Sequence, residues 1–176
     1  MIEKIKNNLS LIAIIFGIFA SFMIFFPALS GNLEYFEIEE AMGGDIEGMI
    51  IGFTGWGVCF GAEVAGMKVL DFSLKCLGAY CLPLLGVICL FFAEIKQNKT
   101  DKQSALLCFF IGAVFLFALP FLIEGNGVEM GEGLEDIFDL GIGALSGAIS
   151  CVVSTVCLYF DLNNNSNKKQ VFFEGY

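Results

Sequence analysis

The chain has 176 residues, 57% of them hydrophobic and 14% aromatic, with nine lysines, no arginine, no histidine and a net charge of −10. A soluble domain is about 45–50% apolar, so this composition argues against one. The acidity leaves no electrostatic footprint for nucleic acid, and the lack of histidine removes Ser–His–Asp chemistry and mixed Cys/His metal sites.

The apolar residues are clumped. Asn7–Asn32, Cys76–Ala93, Gln103–Ile123 and Leu140–Phe160 carry no charged residue. A hydrocarbon slab about 30 Å thick needs about 20 helical residues, and each run reaches or approaches that length. The expected fold is an all-α membrane protein: a single four-transmembrane-helix bundle over residues 1–162, with a small β-rich segment in its first outer loop. The lipid bilayer is then its first partner.

The first span is expected at about 9–29, preceded by Lys4 and Lys6 and closed by Pro27. Ala28-Leu29-Ser30 resembles a signal-peptidase site, and cleavage there would leave three spans. The apolar stretch is longer than the usual signal core of about 7–15 residues, which favours retention. An outer loop follows at about 30–72. It begins with the acidic stretch Glu34–Glu40 and turns at Gly43-Gly44. It then becomes apolar and glycine-rich from Met49 to Gly61. A fifth span there would be short and would move Lys96, Lys99 and Lys102 outside. A small β-structure or re-entrant patch turning near Thr54-Gly55 fits better. Phe53, Trp56 and Phe60 are its candidate interface residues, with Trp56 suited to a membrane interface.

The second span is expected at about 73–93, with Asp71 and Ser73 capping its start and Pro83 kinking it. The third is expected at about 104–123, with Pro120 near its end. The second outer loop, about 124–137, carries glycines and carboxylates but lacks the spacing of a calcium loop. Glu135, Asp136 and Asp139 are expected to charge the start of the fourth span, at about 138–160, where the helix dipole favours anions. Residues 163–176 read as a disordered cytoplasmic tail.

Lysine marks the side of a membrane that was never translocated. Lys4, Lys6, Lys96, Lys99, Lys102, Lys168 and Lys169 share one side if the N-terminus is inside. The other side holds Lys68, Lys75 and fourteen acids, eight in Asn32–Asp71 and six in Glu124–Asp139. The expected location is the plasma membrane, multi-pass, with both termini cytoplasmic.

Helices in lipid associate through small residues that let backbones approach. Ala13, Gly17 and Ser21 recur every four residues in span 1. Ser104, Cys108 and Gly112 do so in span 3, and Gly143, Gly147 and Cys151 in span 4, beside a stripe of Ser146, Ser150 and Ser154. Intramolecular packing accounts for these stripes; a homodimer through Gly143–Gly147, or a contact with another membrane protein, is the sharper alternative. Seven cysteines include no CxxC pair. Cys59 could form a disulfide with Cys76 or Cys81 across the outer face.

Phe25-Phe26-Pro27, the loop Phe53-Thr54-Gly55-Trp56…Phe60-Gly61 and Leu82-Pro83-Leu84-Leu85-Gly86 together resemble small, uncharacterised four-span membrane proteins of low-GC Gram-positive bacteria and mollicutes. That resemblance implies a fold and no activity. The order of long first loop, short second loop and strand-like outer segment is also similar to claudins, whose Gly-Leu-Trp and paired-cysteine signature is not met here.

No catalytic set, metal site or cofactor motif is present in the sequence. The expectation is a non-enzymatic structural or interaction protein using its acidic outer loops. A channel or small-solute transporter subunit is the alternative, motivated by Pro83 and the serine stripe. A membrane thiol oxidoreductase using Cys59, Cys76 and Cys81 is a third, and it would lack the reactive CxxC pair such enzymes need.

Overall fold

A computed structural model describes residues 8–31, 52–64, 67–96, 98–123 and 138–173; side chains at 64–69 and 164–173 are not among those described. The described chain is mostly helical. It runs α1 (Leu9–Phe22), a 3-10 turn (Met23–Phe25), β1 (Pro27–Gly31), β2 (Phe53–Thr54), α2 (Gly55–Phe60), β3 (Ala62–Val64), β4 (Met67–Leu70), α3 (Leu74–Lys96), α4 (Lys99–Phe117), α5 (Leu119–Leu122), β5 (Phe138–Leu140) and α6 (Ile142–Phe173). Three helices are long and apolar enough to cross a membrane: α3, α4 and the Ile142–Asn163 part of α6. A fourth apolar helix, Leu9–Phe25, is shorter.

Prolines and caps set the helix limits. Pro27 disfavours helical geometry at Phe26, which is extended at φ −103°, ψ 164°. The first helix therefore ends before residue 29, and residues 27–31 form a strand. Ser73 caps α3, its Oγ accepting from Cys76 N–H at 3.3 Å. Asn98 caps α4, its Oδ1 accepting from Thr100 N–H at 3.0 Å. The third helix thus starts five residues earlier than expected. It breaks at Ala118 before Pro120, which sits in the first turn of α5. Phe138–Leu140, expected as the start of the fourth span, is a strand. Beyond residue 160 the helix continues to Phe173 in place of the expected disordered tail. A nucleated helix propagates through weak formers at far lower cost than nucleation demands.

α1 packs on α3 and α6, and α4 packs on the same two helices. The inward faces are small: Ala13, Gly17 and Ala20 in α1, Ala79 and Gly86 in α3, and Ala144, Gly147, Ala148 and Cys151 in α6. The outward faces are large, with Phe19, Leu85, Phe91, Phe110, Ile149 and Phe160 all exposed. Apolar surface of that extent is unstable in water and stable in lipid.

Phe109 is the large side chain at the centre, fully buried. A Cβ added at Gly17 would lie 2.6 Å from its ring, and one at Gly86 would lie 2.9 Å from it. Two glycines on two helices therefore make the hole that a phenylalanine from a third fills. Gly112 does the same for Pro83, with 3.1 Å between the ideal Cβ and the proline ring.

β1 is the centre of a three-stranded antiparallel sheet in the order β2-β1-β5. Leu29 pairs with Leu140 and with Phe53, and Gly31 pairs with Phe138. β3 and β4 form a separate hairpin. The expected turn at Thr54-Gly55 is instead a helix start: Thr54 Oγ1 accepts from Gly57 N–H at 3.3 Å and caps α2. The expected turn at Gly43-Gly44 lies outside the described residues.

Gly17→Ala should push a methyl into the Phe109 ring and destabilise the protein by about 1–3 kcal/mol. Thermal unfolding in detergent measures this, and adding Phe109→Leu should recover part of the loss. Wild-type melting of the single variant would show that the wedge does not hold the helices.

Candidate functional site

At one end, α1, α3, α4 and α6 each contribute a polar side chain to one cluster. Lys102 from the first turn of α4 reaches Glu94 near the end of α3 at 2.6 Å and Asp161 of α6 at 2.7 Å. Ser10 of α1 donates to Asp161 Oδ2 at 3.1 Å and accepts from Lys102 Nζ at 3.3 Å. Lys102 and Asp161 are only 13% and 14% exposed, while Glu94 is 44% exposed. Burial makes the Lys102–Asp161 pair the strong member and leaves Glu94 as a partly screened one.

Sequence reading missed this clasp. Lys102 was counted only as a marker of sidedness, and Asp161 was placed just beyond the last span. The signal available was the position of all four residues at the ends of apolar runs. An open cavity of about 500 Å³ adjoins the clasp between α4 and α6, lined by Lys99, Gln103, Leu106, Leu107, Tyr159 and Asn163, among others.

The opposite end holds the sheet and α2. Ser73 Oγ donates to Leu122 C=O at 3.2 Å, joining the start of α3 to α5. Gly55 N–H donates to Phe26 C=O at 3.0 Å, and Ser73 N–H to Cys59 C=O at 3.1 Å, so α2 is tied to β1's approach and to α3. Of the expected interface residues, Trp56 and Phe60 are exposed, but Phe53 is buried against Phe138, its ring edge-on at 5.5 Å. Strand alternation explains the difference: Phe53 points into the core while its neighbour Thr54 points out.

The expected helix-packing residues divide by helix. Ala13, Gly17, Gly112, Gly143, Gly147 and Cys151 are buried, and Ser21 is half-buried, its hydroxyl donating to Gly17 C=O. Cys108 is half-buried and Ser104 exposed, because α4 turns Ala105, Phe109 and Gly112 inward. Pro83 lies inside α3, buried. Asp139 does not start a helix; it is an exposed residue of β5 opposite Ser30. Glu135 and Asp136 lie outside the described residues.

The serine stripe is satisfied internally. Ser146 and Ser150 donate to carbonyls one turn back. Ser154 donates to Ala13 C=O at 3.0 Å and so seals the α1–α6 seam.

Among the described residues no disulfide joins the cysteines, and no group of three or more Cys, Asp or Glu is arranged to hold a metal. Cys59 and Cys76 are buried while Cys81 is exposed. Burial, reinforced by the neighbouring Cys76 and Cys81, pushes the Cys59 thiol up to about 12. One buried polar atom among the described residues has no partner: the Tyr80 hydroxyl, packed against Gly55.

Lys102→Met should cost about 2–3 kcal/mol in detergent melts, since it strips Asp161 of a mostly buried cation. Adding Asp161→Leu should cost less than the sum of the two single changes; strict additivity would show that the clasp carries no coupling.

A thiol reacts as the thiolate, and burial keeps Cys59 in the unreactive thiol form at pH 8. Maleimide at that pH should leave Cys59 unlabelled in the folded protein and label it readily in denaturant, as read by peptide mass spectrometry. Ready labelling before unfolding would contradict the burial.

No protein-family model, curated protein or solved structure matches the chain.

Proposed function

We propose that the chain is a non-enzymatic integral membrane protein that crosses the bilayer four times and presents two acidic segments together on its outer face. One observation carries this reading: both segments are rooted in the same small sheet. Segment 32–51 leaves β1 after Gly31 and returns at Gly52 into β2, while segment 124–137 enters β5 at Phe138. Gly31 and Phe138 are directly paired. The two segments contain Glu34, Glu37, Glu39, Glu40, Asp45 and Glu47, then Glu124, Glu129, Glu132, Glu135 and Asp136, with no lysine. A sheet pinning the ends of two like-charged segments side by side works against their repulsion. Such an arrangement suits presentation to a cationic partner.

Four crossings are supported by the apolar outward surface of α1, α3, α4 and α6 and by the clasp, which gathers one residue from each at a single level. Lysine bias puts the clasp end in the cytoplasm.

The second reading is a transporter subunit. It is favoured by the Lys102–Asp161 pair, because ionisable groups within apolar helices often line transport paths. Against it, the clasp is closed by its own hydrogen bonds, and the buried serines are spent on backbone carbonyls.

A photo-crosslinking residue replacing Tyr35 or Ile137 should capture one defined protein in intact cells, and changing the eleven acids to amides should abolish the adduct. A C-terminal fluorescent-protein fusion should glow while a C-terminal alkaline phosphatase fusion stays inactive. No adduct from either position together with an unaltered phenotype for the neutralised chain would end the interaction reading. Robust solute flux in reconstituted vesicles would favour the transporter.

A further inference from the structure

The sheet end carries an exposed aromatic ridge. Phe25 stacks on Trp56 with ring centroids 6.2 Å apart and planes at 11°. Trp56 meets Phe60 at 4.2 Å, and Phe60 meets Phe72 at 6.2 Å. These four rings come from the 3-10 turn, α2 and the entry to α3, and each remains 43–60% exposed. Rings that are held against one another yet half open to the outside are short of a cover.

The depth of the ridge says what that cover is. From Glu94 in the clasp back to Leu74, α3 rises roughly 30 Å, and Phe72 lies two residues beyond. From Ser10 to Phe25, α1 and its 3-10 turn rise about 25 Å. The ridge therefore stands one hydrocarbon thickness, about 30 Å, from the clasp.

The same level carries further exposed apolar side chains, beside the exposed Lys75 and Asp139. Leu74 and Ile142, which begin α3 and α6, and Phe121, near the end of α5, are each more than 70% exposed. A single protein partner would cover one patch. A collar of apolar side chains at one height fits a bilayer boundary, where tryptophan is favoured because its ring is apolar and its N–H polar.

The backbone of β1 at this depth is also protected as lipid requires. β1 is not helical, but β2 and β5 pair it on both edges, and Ala28, Leu29 and Gly31 are buried. Non-helical backbone is tolerated at membrane depth only when it is buried in protein.

We infer that α2, with Trp56 and Phe60 on its open face, lies embedded at the headgroup–acyl boundary of the outer leaflet instead of standing in water above the membrane. This rests on the membrane reading above and adds the position of α2 to it.

Trp56 is the only tryptophan, so its fluorescence reports this site in the unaltered chain. The protein is reconstituted into phosphatidylcholine vesicles, and Trp56 is quenched in parallel by lipid brominated high on the acyl chain and by iodide on both sides of the membrane. Alkaline carbonate extraction is run on the same vesicles. The expected result is blue-shifted emission, quenched several-fold more strongly by the brominated lipid than by iodide, from a chain that resists extraction. Iodide quenching of a carbonate-resistant chain would overturn the inference and leave the membrane reading standing. Quenching by neither agent would overturn it too, by placing protein over the ridge. A chain released by carbonate would overturn both.

Discussion

Pro27 stops the first helix too early. In the proposed membrane setting the helix and its 3-10 turn together fall a little short of a full crossing, and a chain in lipid cannot leave the remaining N–H and C=O groups bare. Much of the sheet end follows from that shortfall. β1 finds hydrogen-bond partners on both edges, and each partner strand follows one of the acidic segments in the chain. Gly141 and Gly143 let the start of α6 press against Pro27, where an added Cβ at either would lie within 2.7 Å of its carbonyl oxygen. α2 then roofs the strand, anchored by Gly55 N–H on Phe26 C=O. A single imino acid thus ends a helix where a sheet begins.

The two ends of the molecule solve different problems. At the sheet end the helices are joined by backbone pairing and apolar burial. At the clasp end they are joined by three polar side chains around one ammonium. Between them the helices touch through glycine, alanine and serine, with Phe109 as the wedge. Leu90, Leu116 and Leu158 are buried there as well. In the proposed membrane setting lipid exerts no hydrophobic push between helices, so close backbone contact decides which faces meet.

How much of this is legible in the sequence varies by level. The uncharged runs reveal α3, α4 and most of α6, because length and apolarity are local properties. Helix limits escape the runs where a residue outside them decides: Asn98 caps α4 and draws the five residues Lys99–Gln103 into it, and Phe138–Leu140 becomes a strand by pairing with β1. The spacing rule found the inner face of α1 and α6 but slipped on α4, where Ser104 and Cys108 are small yet the inward position belongs to Ala105 and Phe109. Small size marks a close approach only when the opposite helix brings backbone; here it brings Gly17 and Gly86, and the small residues are on the other side of the contact. The clasp was illegible because it joins residues up to 151 positions apart, each unremarkable alone.

The clasp also bears on whether this molecule transports anything. A path needs a polar group that can exchange its partner for a passing solute. Lys102 holds three partners at once, on three other helices, and Ser154 spends its hydroxyl on Ala13 C=O across the seam that a path through the serine stripe would have to open. Moving α4 away from α1 and α6 would break the ion pair, and the release of Phe109 from Gly17 would accompany it. Those contacts oppose the same motion at two depths, so the helices are built to stay together. Such rigidity fits the proposed interaction role better than it fits an alternating pathway.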